Sequence, residues 1–140
     1  MNPIKRLNAA GRHLPALEDP AFDYLPLVEH RGVIWMAGQL AKEQGVVPLQ
    51  GQVPTMVSPE EASRQMSQCA LQALSRLQSA LGDLNRVAQI LHMNAYVACA
   101  VDFDGISPIA DHASRIFVEG FGDLGRHPRS VIGVNRLPQN

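Results

Sequence analysis

Aromatic residues are scarce in this chain: Phe, Tyr and Trp together make up 5% of its 140 residues. So few rings leave little material for the stacked platforms that hold single-stranded nucleic acid. Charge of one sign is also missing. The 12 Lys and Arg residues face 13 Asp and Glu residues, a formal net charge of −1. No general field therefore draws in a polyanion, and nucleic acid is not an expected partner. Cysteine occurs twice, as Cys69 and Cys99, with no metal-type spacing, and both read as small buried hydrophobes rather than a disulfide or a nucleophile. Histidines stand at 13, 30, 92, 112 and 127, again without paired spacing, so no metal site is expected. No apolar run approaches the ~20 residues that a membrane helix needs. Residues 1–14 are polar and basic without the apolar centre of a signal peptide. A soluble, cytoplasmic protein without a membrane partner is the expectation. A glycine-rich phosphate loop and a Gly-x-Ser-x-Gly elbow are both absent, which leaves the serines without visible nucleophile context.

What is present suits one globular domain, with 46% hydrophobic and 18% charged residues, and the length is too short for two comfortable ones. Residues 1–20 read as a polar, proline-broken arm, and residues 21–140 as a single domain. A short strand is predicted within 24–29, with a turn at His30-Arg31-Gly32. Residues 33–37 are a continuous apolar run, the pattern of a strand buried on both faces. Residues 42–54 read as a polar loop or hairpin in which Val46-Val47 makes a brief edge strand.

The clearest element is a helix opened by Ser58-Pro59-Glu60-Glu61. Serine caps it, proline takes the first helical position and glutamate the third, a full capping box. Ala62, Met66, Cys69, Ala70, Ala73, Leu74, Leu77 and Leu81 then form one apolar stripe, and Gly82 ends it. A long strand is predicted over 85–99. Its helix-facing side carries Leu91, Met93, Ala95, Val97 and Cys99; its other side carries Ile90, His92, Asn94 and Tyr96. A second helix opens at Ser107-Pro108, buries Ile109, Ala113, Ile116, Phe117 and Gly120, and closes at Gly122 and Gly125. A last strand is predicted over 130–136.

Two helices cover only one face of the four- or five-stranded sheet these strands would make. Yet Ile34, Met36, Ile132 and Val134, set against Val33, Trp35 and Val131, place apolar groups on both faces. A copy of the same chain is the simplest cover for the second face, so an oligomer is expected.

The strongest chemical signal is Arg126-His127-Pro128-Arg129-Ser130 leading into a β-branched run. An arginine opening a strand projects a rigid, permanently charged fork from a structured edge, which suits a planar carboxylate. A plain surface ion pair is the competing reading. In order along the chain stand Gly38-Gln39, Leu81-Gly82-Asp83-Leu84, the arginine block and Leu137-Pro138. This ordered set, spanning Tyr24 to the end, resembles the Rid (YjgF-type) family of imine deaminases, in its longer-loop branch.

The resemblance implies an α+β, chorismate-mutase-like fold: a mixed sheet with two helices on one face, assembled as a homotrimer with ligand clefts between subunits. It also implies hydrolytic deamination of reactive imines and enamines of α-keto acids, such as 2-aminoacrylate, to the keto acid and ammonia. Neither metal nor organic cofactor is implied. Arg129 is implied as the carboxylate anchor and Tyr24 as a second catalytic residue, although Tyr24 follows Phe22-Asp23 where the family has Gly-Pro. Ala37, Gly38 and Ser130 are implied as substrate-binding. Ala37 stands where the family often has serine, and Val131 where the best-known branch has cysteine, so thiol chemistry is not expected. A polar residue early in the second helix faces the cleft in relatives, and Asp111 and His112 both fit that place. Relatives continue past Leu-Pro into a strand whose glutamate positions the water, and that strand has no counterpart up to Asn140. Two other functions compete: a non-catalytic trimer that binds small carboxylates as a sensor or partner protein, and, less favoured by charge and composition, an endoribonuclease or translation inhibitor.

Overall fold

Ser58 provides the first fixed point. The computed structural model describes residues 2–139; Met1 and Asn140, the outermost residues of the expected arm and domain, lie outside them. The Ser58 hydroxyl accepts from the Glu61 N–H, and the Glu61 carboxylate accepts in return from the Ser58 N–H, at 3.1 and 2.9 Å. These bonds hold the Glu61 carboxyl below its ordinary pKa. The contribution is present above the unfolded carboxylate range and fades as pH falls through the lowered value. The helix so started runs from Pro59 to Leu81 (α2) and stops at Gly82, whose φ of 75° and N–H to the Gln78 carbonyl make a left-handed cap.

Three further predicted elements form close to their expected places. The short strand lies at Leu27–His30 (β1) and pairs antiparallel with Val33–Met36 (β2). Arg31 and Gly32, at φ 52° and 79°, make the two-residue turn whose twist matches the flanking strands. The second helix spans Ile106–Phe121 (α3), and every residue predicted for its buried stripe is buried. Val46 makes an isolated bridge to Glu43 rather than an edge strand.

The strands β3 (Met93–Ala98) and β4 (Arg129–Val134) pair in parallel, with α3 as the crossover between them. β3 starts well after residue 85, which corrects the long strand expected there. Asp83 accepts from the Asn85 N–H at 2.9 Å and starts a 3-10 turn at Leu84–Arg86 that buries Leu84. The Ile90 N–H is then taken by the Leu124 carbonyl, so the local alternation of apolar residues does not become a ladder. Asp-Leu-Asn turn chemistry outweighs periodicity there.

Segment 1–20 contributes more than a surface arm. Asn2 caps a helix over Pro3–Ala9 (α1), and Leu7 on it is 1% exposed. Leu7 joins Leu71, Leu74, Leu77, Ile116 and Phe117 in the main core. Leu7 lies against Gly120 of α3, where a Cβ would meet its side chain at 3.5 Å, an ordinary contact distance. The Arg6 Nε donates to the Glu119 carbonyl, and Arg12 pairs with the Glu119 carboxylate at 3.0 Å. A seven-residue helix has little stability of its own. Tertiary contacts hold this one.

Helices α2 and α3 pack on one face of the strands. Ala95 and Val97 are buried beneath them, and a smaller cluster of Val53, Val57, Val97 and Ile109 fills the far end. The opposite face is uncovered within the chain: Val28, Tyr96 and Ile132 are exposed, and Trp35 is 72% exposed. The apolar run at 33–37 is therefore not buried on both faces in the single chain. Ile34 and Met36 face the core, while Trp35 faces out.

The hydrogen-bonded ladder does not run from β2 to β3 among the described residues; each belongs to a two-stranded sheet. Between them opens an apolar groove of about 1590 Å³, floored by α2 residues such as Met66, Ala73 and Leu77 and reached by Leu137 and Pro138. Cys69 lies in its wall, half-buried, and burial pushes its thiol up to about 12. No helix among the described residues is long and apolar enough to cross a membrane.

Candidate functional site

Arg129 opens β4 with its side chain on the helix-covered face, the face it shares with Gly133, whose nearest neighbours include Ile106 of α3. Alternation along the strand places Ser130 on the other face, exposed and paired in register with Asn94. The guanidinium lies against the first two turns of α3. Nη1 donates to the Ser114 hydroxyl at 3.0 Å, and Nη2 donates to Asp111 Oδ1 at 2.7 Å and more weakly to the Ser107 carbonyl at 3.4 Å. Positions 107, 111 and 114 are spaced i, i+4 and i+7, so one helical face presents all three acceptors. The Arg129 side chain is 23% exposed and that of Asp111 58%.

A second bonded layer holds this fork in place. His127 Nδ1 lies 2.7 Å from the Gly125 carbonyl. A carbonyl only accepts, so Nδ1 carries the proton, and in the neutral ring Nε2 is left as an acceptor. Nε2 stands 3.0 Å from the Ser114 hydroxyl, which donates to it while accepting from Arg129. The Phe117 and His127 rings pack in a T, their centroids 5.5 Å apart and their planes at 83°. With a neutral imidazole the order of donation is Arg129 to Ser114 to His127 to the Gly125 carbonyl. Every polar atom on that path has a partner, and the arginine rotamer is fixed without using all five of its N–H groups.

Of the sequence candidates, the fold brings Arg129 and Asp111 into contact. His112 is half-buried beside them; its carbonyl accepts the Ser67 hydroxyl at 3.4 Å and so ties α3 to α2. Between the two residues left open for the cleft-facing polar place, Asp111 is the one on the guanidinium. Tyr24, Ala37 and Gly38 stand elsewhere, lining the groove beside β2, and Arg129 does not line it. Within one chain the candidates form two separate groups.

Ser114 and Gln72, which sequence reasoning passed over, belong to the site or its frame, as does His127, which stood in the arginine block without a role of its own. The polar spacing Ser107, Asp111, Ser114 on an otherwise apolar helix was the available signal for the first. Gln72 is 4% exposed within α2. Its amide accepts from the Lys42 N–H at 2.8 Å and donates to the Leu40 carbonyl at 2.7 Å, which fixes the segment following Gly38. No group of three or more His, Cys, Asp or Glu residues that could hold a metal ion occurs among the described residues.

The arrangement of strands, the β3–α3–β4 unit and the helices on one face define a chorismate-mutase-like α+β fold. The family model described as "YjgF/chorismate_mutase-like, putative endoribonuclease" matches residues 4–140, and the chain belongs to that family. It is similar to a crystal structure from Shewanella oneidensis described as a "putative endoribonuclease": 28% identity, TM-score 0.93, with 99% of this chain and 91% of that one covered. Atu1372 of Agrobacterium tumefaciens, described as of unknown function, matches at 28% identity and TM-score 0.87, with 97% of this chain and 83% of that one covered. Protein TCP17 of Trypanosoma cruzi is 35% identical over 133 residues, 94% of this chain and 83% of that protein.

Proposed function

We propose that this protein hydrolyses reactive imines and enamines of α-keto acids to the keto acid and ammonia. The observation that supports the reading best is the Arg129 fork, fixed by Ser107, Asp111 and Ser114 on α3 and still holding unused N–H donors. A carboxylate is the ligand that such permanently charged donors bind most strongly. The chemistry asked of the site is modest, because a protonated imine already reacts with water. The site orients the carboxylate, water adds to the imine carbon, and the tetrahedral adduct expels ammonia. No cofactor is required for these steps.

A homotrimer is part of this proposal. Trp35, Val28, Tyr96 and Ile132 leave the outer sheet face apolar and exposed, and a neighbouring copy would bury it. Such packing would also bring the Tyr24, Ala37 and Gly38 group of one subunit toward the Arg129 of another, in a cleft that neither chain forms alone. Light scattering is expected to give the mass of three chains; a stable monomer would overturn this assembly.

A coupled assay tests the activity. An amino-acid oxidase generates a panel of imino acids, and semicarbazide traps whatever imine survives. Wild type should suppress semicarbazone formation, and Arg129→Ala should lose about 100-fold of that activity, the value of one charge-assisted anchor of about 2–3 kcal/mol.

A second reading has its own support. Asp111, the carboxylate at the anchor, is already committed to Arg129 at 2.7 Å and so is not poised as a free base. On that reading the protein binds small carboxylates without turnover. Saturable, Arg129-dependent binding with no ammonia release from any imino acid would establish it. The endoribonuclease wording of the family and of the Shewanella relative has weaker support here, given a net charge of −1. RNA cleavage that purifies away from the protein would end it.

A further inference from the structure

The ion pair at the head of α3 is only half closed. Asp111 Oδ1 takes Arg129 Nη2 at 2.7 Å, while Oδ2 has no hydrogen bond among the described residues. Arg129 likewise has donors to spare, because Nε makes no such bond and Nη1 spends one proton on Ser114. The Asp111 side chain is more than half exposed, so the open side of the pair faces outward. A site built to attract any anion would leave its arginine without an acid beside it. Here the charges cancel, and a simple carboxylate arriving at Arg129 meets Asp111 as a like charge.

We infer that Asp111 is a specificity-determining residue that makes this site select zwitterions: ligands with a carboxylate for Arg129 and a cationic nitrogen on the adjacent carbon for Asp111. A carboxylate oxygen and an α-nitrogen lie about one hydrogen-bond length apart within such a ligand, matching the separation of the two protein charges. The inference rests on the reading of Arg129 as the carboxylate anchor. It refines the substrate to the protonated imine, the form in which carbon is most electrophilic. It also accounts for product release, because a keto acid retains the carboxylate and lacks the cation. Discrimination by placing an unfavourable charge against the wrong ligand is the general route to such selectivity.

Two small probes that do not turn over test the idea, alanine as the zwitterion and pyruvate as the plain anion, with binding followed by calorimetry or NMR titration. Wild type should prefer alanine by about fivefold, the value of one partly screened charge contact. Asp111→Asn should bring the ratio of the two affinities to about one, chiefly by tightening pyruvate. Asp111→Ser should do the same, and Arg129→Ala should lose both probes. If Arg129→Ala loses both while Asp111→Asn leaves the ratio unchanged, Asp111 has no selective role and the anchor survives. If Arg129→Ala binds both as wild type does, or wild type binds neither, the anchor reading and this inference fall together.

Discussion

Replacing Gly125 with alanine is expected to lower stability by about 3 kcal/mol, a fall in Tm of about 10 °C for a chain of this size, and to disrupt the site as well. The added Cβ would stand 2.1 Å from the Phe117 carbonyl oxygen and 2.5 Å from its carbon. Both atoms belong to the backbone of α3, which cannot yield without breaking its own hydrogen bonds. The turn at Gly122–Gly125 must move instead. That turn supplies the carbonyl that holds His127 at 2.7 Å, and His127 positions Ser114 beneath Arg129. Carboxylate binding should therefore weaken even at temperatures where the variant is fully folded. A melting curve within a degree or two of wild type would show that the turn has room to spare.

Leu74→Ala is the second large effect, at about 4 kcal/mol. Leu74 is 0% exposed and lies in the cluster shared by α1, α2 and α3. Its loss removes transfer energy and leaves a cavity that two long helices, pinned at their ends, cannot collapse to fill. Denaturant titration should show a lower midpoint with an unchanged slope. The matching control is Leu91→Ala, since Leu91, expected on the helix-facing side, is 59% exposed; it should stay within about 0.5 kcal/mol of wild type. Similar losses at the two positions would mean that the core is not where the burial places it.

Elements announced by local chemistry were legible in the sequence, and those made by distant contacts were not. Ser58, Pro59, Glu61 and Gly82 determine both ends of α2 through bonds within four residues. The hairpin turn was equally local, because Gly32 tolerates the positive φ that the turn requires. The helix α1 escaped notice although Asn2-Pro3 is a reasonable start signal. Seven residues are too few to show a period, and what stabilises them is Leu7 seated against Gly120, more than a hundred positions away. The early start predicted for the strand over 85–99 failed for the opposite reason: its alternation is genuine, but a turn at Asp83 and the Leu124 carbonyl take the chain elsewhere.

The site divides the same way. Arg129 could be singled out because proline precedes it and a strand follows. Its fixture was signalled only by the Ser107, Asp111, Ser114 spacing, because Ser114 and His127 gain their roles from which face of α3 meets β4. Gln72 looked like one polar residue on a long helix, yet its amide serves as backbone partner to the loop at Leu40 and Lys42. The uncovered face around Trp35 shows that apolar residues on both sides of a strand predict eventual burial, not burial within one chain.

The two ends of α3 serve different masters, and a rigid rod makes them one mechanism. Asp111 near its start meets Arg129, and Glu119 near its end is gripped by Arg6 and Arg12. Eight residues of helix separate them, about 12 Å of axis. A tilt of about 5° about the far end would carry Asp111 sideways by about 1 Å over that length, enough to spoil a 2.7 Å contact. Arg6 and Arg12 thus hold the far end of the helix that carries Asp111, and a change to either is expected to weaken the Arg129 contact without touching it.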